Sequence, residues 1–248
     1  MTTSGTAAFN LSFDEITEEA FERVGRELRT GYDLRTARRS MNLLLAEMAN
    51  RGINLWTVEQ GFIPMVTGQA TYNLPVDTVD LLDHVVRTGT GQNQIDISIT
   101  RIAEPTYATI PNKNAQGRPI QVWIQRMTGA QYPLPGPNGT DQITGINAPK
   151  ITVWPTPNDP GSQYTFVYWR LRRMQDVNGA VNTMDIPFRF LNCMIAGLAY
   201  YLSMKLPDVA GDRIMALKAD YMEQLQLAMD EDRDKSPVRF IPRNMSYT

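Results

Sequence analysis

The chain has 248 residues, enough for one large domain or two small ones with a core that needs no covalent staples. Hydrophobic residues make up 42% and the formal net charge is −2, which fits a globular protein and gives no global basic field to advertise nucleic-acid binding. One cysteine, Cys193, and one histidine, His84, exclude an internal disulfide and a Cys/His zinc site by count.

The opening MTTSGTAAFN has neither a basic nor an apolar signal region, so no signal peptide is expected, and the protein reads as soluble and made in the cytoplasm. Ser12 with Glu15 forms a capping box ahead of Phe13, Ile16, Ala20, Val24 and Leu28, a helical period that Gly31 ends. Glu15, Glu18, Glu19 and Glu22 crowd its first turns. Asp33 then reads as the N-cap of a second helix, with Leu34, Ala37, Met41, Leu44, Leu45 and Met48 on one face and a stop at Gly52. Arg35, Arg38, Arg39 and Asn42 fall on the other face. A short turn makes the two helices antiparallel, so the arginines are either matched by the acidic first helix or free for a partner. Arginine far outnumbers lysine, a bias that suits interfaces and that a genomic composition effect would also produce.

From Ile53 the pattern turns to β-branched, aromatic and glycine residues, with Pro64 at an edge or turn. Short strands are expected at Ala70–Leu74 and Val79–Thr88, although a helix also fits the second run. Gln94–Ile102 alternates Ile95, Ile97 and Ile99 against polar residues, as one half-buried antiparallel strand pairing back on Val79–Thr88. A short helix at Glu104–Ile110, strands at Ile120–Arg126, Lys150–Trp154 and Gln163–Arg172, and a long exposed loop at 127–149 complete the region. Helices return with Asp185 as a cap, a nearly all-apolar helix from Phe188 to Leu202 that should be central and buried, and a last helix from Asp208 to Met229. Its face is Ile214, Leu217, Tyr221, Leu225 and Ala228. Ala196, Gly197 and Ala199 allow a partner helix close approach. The tail carries Val238, Phe240, Ile241 and Tyr247 on a proline-punctuated segment, which suits docking on another surface or a disordered end.

The expected fold class is α+β: an antiparallel helical bundle of two N-terminal and two C-terminal helices (11–54 and 185–232) with an inserted antiparallel β region (55–184) and an extended arm (233–248). No glycine pattern suits a dinucleotide or phosphate loop, and Asp77, Asp80 and Asp83 lack the rest of a calcium loop. His84 lies inside an expected strand with no serine or cysteine motif beside it, and reads as a satisfied structural histidine. Cys193 reads as a small buried hydrophobe. No cofactor or metal is expected.

Three stretches carry a resemblance: RTGYDLRTARRSMNLLLAEMANRGINLWTVEQ at 29–60, TYNLPVDTVDLLDHVVR at 71–87 and DIPFRFLNCMIAGLAYYLSMKLP at 185–207. With TRIAEPTYATIPNK at 100–113 and VWPTPND at 153–159, the chain resembles the head-to-tail adaptor (connector or head-completion) proteins of tailed bacteriophages, the short-tailed type especially. The resemblance implies a structural virion protein of the neck, not an enzyme: a dodecameric ring beneath the portal that continues the DNA channel. Its partners would be further copies of itself, the portal protein, a tail nozzle or tail tube protein, and double-stranded DNA passing through without sequence recognition, with no membrane. The candidate interface residues are Arg35, Arg38, Arg39, Val238, Phe240, Ile241 and Tyr247. The alternatives are another tail structural protein (tube or fibre attachment) and a tail-associated cell-wall hydrolase.

Overall fold

The computed structural model describes residues 3, 5–6, 9–128, 131–135, 141–158, 164–179 and 182–233, with backbone alone at 131–135 and 141–146. The chain forms two compact units, Met1–Trp56 with Met174–Thr248 and, between them in sequence, Thr57–Arg173. The fold is α+β.

In the first unit, α1 (Phe13–Val24) opens with the expected capping box: the Ser12 backbone N–H and hydroxyl both donate to the Glu15 carboxylate at 2.7 Å. It stops at Gly25, whose φ of +87° only glycine adopts cheaply, one and a half turns before the expected end at Gly31. The next helix, α2 (Gly31–Asn50), starts earlier than expected. Thr30 is its N-cap and Asp33 the reciprocal partner in the third helical position, the Thr30 N–H donating to the Asp33 carboxylate at 3.1 Å. The N-cap expected at Asp33 therefore lies three residues earlier, because Thr30-x-x-Asp33 is itself a capping box.

The central helix is α4 (Leu191–Ser203), which packs against α1, α2 and α5 (Gly211–Glu231). Cys193, Met194, Ile195, Ala196, Leu198, Ala199 and Leu202 are all buried. Phe188 is not: it is 72% exposed, in a 3-10 turn (Phe188–Phe190) ahead of the helix. Asp185 does not cap α4 either. Its carboxylate accepts from Gln175 N–H at 3.0 Å and its carbonyl from Trp56 Nε1 at 2.8 Å, so it anchors the chain leading into the helix. Residues expected in the β insertion, Met174, Val177 and Met184, contribute to the helical core.

In the second unit, β1 (Val58–Pro64), β3 (Thr78–Thr88), β4 (Ile95–Ser98) and β10 (Tyr164–Arg172) form an antiparallel sheet in the order β1-β10-β3-β4. Gly61 lies opposite Tyr168 in register, and a side chain there would collide with the tyrosine ring. A register shift leaves Leu82 unpaired and 58% exposed, so Leu81, His84 and Val86 can all be buried. That extra residue is why the run also fits a helical period. A second sheet has the order β2-β9-β6-β5, from β2 (Thr71–Asn73), β9 (Lys150–Trp154), β6 (Gln121–Gln125) and β5 (Thr100–Ile102). The single strand expected at Gln94–Ile102 is therefore two: β4 pairs with β3, and after Ile99 the chain crosses to pair β5 parallel with β6. The insertion is accordingly not wholly antiparallel. Met65, Tyr72, Leu81, Val86, Ile99, Val122, Ile151, Val153 and Phe166, from both sheets, share one core. The short helix α3 (Glu104–Ala108) sets Tyr107 on Trp123, ring centroids 5.1 Å apart.

The stretch 127–149 is not a plain loop. It contains an antiparallel pair, β7 (Gln131–Pro135) and β8 (Asp141–Ile146), with Pro133 opposite Thr144. A two-stranded ribbon has two edges, where proline is tolerated, so its prolines mislead a reading by composition.

In the helical unit the packing is close at Gly197. A Cβ there would sit 2.8 Å from a Leu44 methyl and 2.9 Å from the Tyr221 ring, so α2, α4 and α5 meet at a point without a side chain. Gly197→Val should destabilise by about 1–3 kcal/mol and lower Tm by roughly 3–10 °C, read by circular dichroism. An unchanged Tm would contradict the close approach.

Candidate interaction surfaces

α2 buries Ala37, Met41, Leu44, Leu45 and Met48. On its outer side Tyr32, Arg35, Arg39 and Leu43 follow one another at spacings of three and four and so align, Tyr32 being 64% and Leu43 62% exposed. Arg35 Nε donates only to its own helix, to the Gly31 carbonyl at 3.4 Å, and Arg39 has no ion pair among the described residues. Arg38 stands apart from this row. It is half-buried and donates to the Asn178 carbonyl at 2.8 Å, while Asn42, one turn on, accepts from Val177 N–H at 2.9 Å. Arg38 thus ties the 175–179 segment to α2. Val238, Phe240, Ile241 and Tyr247 lie outside the described residues.

The acidic residues of α1 do not neutralise the α2 arginines among the described residues. Glu15 serves the cap, Glu19 pairs with Arg23 at 3.0 Å, and Glu18 and Glu22 are exposed without an ion pair. Reading by residue type missed Tyr32 and Leu43. Leu43 looks like part of the core run Leu43-Leu44-Leu45, and only the 100° step per residue turns it outward.

Next to Leu43, between α2 and α4, runs a groove of about 610 Å³ lined also by Ala46, Tyr201 and Met204. Its polar wall is internally matched. Glu47 accepts from the Tyr201 hydroxyl and from Arg51 at 2.7 Å, and Lys205 Nζ donates to Ser40 Oγ at 2.8 Å. Burial opposes ionisation of Glu47, but those hydrogen bonds outweigh it and hold the carboxyl below its usual range. Burial, with the Glu47 hydrogen bond, pushes the Tyr201 phenol up to about 12.

The single cysteine and the single histidine are both buried. Burial pushes the Cys193 thiol up to about 12, so it is no nucleophile at neutral pH. His84 is buried at 8% exposure with its ring 6.0 Å from Phe166. Contrary to expectation it is not well satisfied, since neither ring nitrogen makes a well-formed hydrogen bond among the described residues. Among those residues no group of three or more His, Cys, Asp and Glu side chains is arranged to hold a metal, and no helix is long and apolar enough to cross a membrane.

The comparison with protein families supplies the class: the chain is a structural protein of the phage head-to-tail adaptor type. The matching family model is that of the SU10 adaptor protein, over residues 12–242, and the chain belongs to this family. The match takes in both compact units. The family is structural rather than catalytic. No protein of curated function matches the chain.

His84 makes stability depend on pH. Burial lowers its pKa below the usual 6.5, so below that value the unfolded chain binds more protons than the folded one. Its contribution is complete above 6.5 and is lost as pH falls toward the folded-state value. His84→Phe should therefore flatten the fall in urea midpoint between about pH 7 and about pH 5.5. A variant with the wild-type slope would assign that fall to other groups.

Proposed function

We propose that this adaptor forms a ring, a dodecamer, which joins the portal to the tail and continues the DNA channel in the neck of the virion. The observation that carries the reading is the family match across residues 12–242, which takes in both units and most of the tail. An adaptor needs separate surfaces for its neighbours in the ring and for the components above and below it. A closed ring of like subunits uses head-to-tail contacts, in which two different faces of each copy meet.

On this reading the four long helices are an antiparallel bundle that faces the portal, and the β insertion meets the tail nozzle or tail tube. The outer row of α2, Tyr32, Arg35, Arg39 and Leu43, combines an aromatic, two arginines and an aliphatic side chain, the composition of interface centres. We assign it to the neighbouring copy. Arg38 supports that surface from behind. The arm, with Val238, Phe240, Ile241 and Tyr247, is assigned to the portal. DNA passes as a threaded polymer touched through its backbone at most, which a net charge of −2 permits.

Light scattering on a size-exclusion column, of the chain alone and mixed with the portal protein of its own genome, tests the reading. Co-elution at one copy per portal subunit is the expected result. No association would move the assignment to tail tube or fibre attachment. Arg35→Glu/Arg39→Glu should reduce ring formation at least about tenfold in concentration dependence while leaving Tm within a degree or so, since both side chains are exposed. Removing residues 236–248 should abolish portal co-elution, and retained binding would overturn the assignment of the arm.

A further inference from the structure

A groove of about 520 Å³ runs between α1 and α4 within the helical unit. Leu11, Leu191 and Ile195 line it, and Phe9 and Phe188, each 72% exposed, flank it. Its α1 wall carries Glu15, Glu18, Glu19 and Glu22. Glu18 and Glu22 stand four residues apart, exposed and unpaired among the described residues, an arrangement that costs an isolated helix a few tenths of a kcal/mol. An apolar floor beside a wall on which Glu18 and Glu22 have no ion pair among the described residues fits a segment that is apolar and basic together.

The chain holds one such segment beyond its described end. From Lys235 to Arg243 the sequence is KSPVRFIPR, with no acidic residue. Lys235, Arg239 and Arg243 recur every fourth residue, with Val238, Phe240 and Ile241 between them. The acidic row from Glu15 to Glu22 is about 10 Å long at 1.5 Å per residue, which an extended chain spans in about three residues. The tail also starts close by. Glu231, in the last turn of α5, lies 3.8 Å from Arg189, itself a lining residue, and Asn192 on the same groove donates to Gln224 of α5 at 2.6 Å. A segment tethered by a few residues has an effective concentration in the millimolar range, so even weak contacts would hold it.

We propose that this groove is the intramolecular docking site of residues 235–243 in the free subunit. The basic side chains meet Glu18 and Glu22, and Val238, Phe240 and Ile241 cover the apolar floor. Any partner that takes the arm must first draw it from the groove. The contact belongs to the subunit before assembly, so its test needs no portal and its failure leaves the adaptor reading standing.

The test is limited trypsin digestion of the full chain, with release of 240–248 followed by mass spectrometry, beside Glu18→Gln/Glu22→Gln, which adds no cleavage site. The expected result is release about tenfold slower from the wild type, at monomer mass, independent of protein concentration and accelerated by about 0.5 M salt. Equal rates in the two proteins would overturn the groove. Protection that rises with concentration and tracks a dimer mass would overturn the intramolecular assignment in favour of a second copy. Tm of both proteins certifies the fold. If the glutamine variant unfolds, Phe188→Ser leaves α1 untouched and should release the tail by the same route, with wild-type protection overturning the proposal.

Discussion

The helical unit depends on covering α4. From Leu191 to Ser203 almost no face of this helix is polar, so it is stable only where other helices exclude water from every side. α1 and α2 come from before the β unit and α5 from after it, and each lays an apolar stripe on α4. Burying one large aliphatic side chain is worth about 1.5–3 kcal/mol, so each stripe laid on α4 contributes substantially to the stability of the unit. Gly197 shows how close the packing is, since the space a Cβ would take is filled by Leu44 and Tyr221.

Much of this was legible in the sequence. The spacing of Ala37, Met41, Leu44 and Met48 defines a buried face regardless of partner, and the composition of α4 announces a central helix. The starts and stops are less legible because competing signals sit one to two turns apart. Gly25 and Gly31 both look like terminators, and only the left-handed backbone at Gly25 decides between them. Thr30 and Asp33 both look like caps, and the capping box makes them one device. In the β unit, local alternation cannot show that a strand changes sheets. Ile95, Ile97 and Ile99 alternate without fault, yet Ile95 is 62% exposed and only Ile99 reaches the shared core. Pairing across the sequence decides that, and pairing is a long-range property.

The interface residues divide in the same way. The helical period puts Arg35, Arg38 and Arg39 together on the face opposite the apolar stripe. That face is broad enough to divide: Arg35 and Arg39 belong to an outer row with Tyr32 and Leu43, while Arg38 holds the Asn178 carbonyl. A side chain that looks free because it is charged can have a backbone partner from a distant segment, and nothing in the local sequence announces it. Leu43 is left off the buried face by its spacing, yet an exposed leucine beside core neighbours carries no charge to mark it as an interface residue.

The net charge of −2 averages over this segregation. α1 carries an acidic row, the outer side of α2 a basic and aromatic one, and no ion pair among the described residues joins them. Charges left unmatched within a fold raise its electrostatic energy slightly and are affordable on a surface, where water screens them. They acquire their value when another surface displaces that water, because unlike faces then attract and like faces repel, which fixes both partner and orientation. A protein with one acidic and one basic face associates with itself most favourably through unlike faces. Such contacts are heterologous, and geometry alone decides whether they close or run on. Near-neutral overall charge is therefore compatible with strongly directional assembly, and the informative quantity is the distribution of charge around the helices.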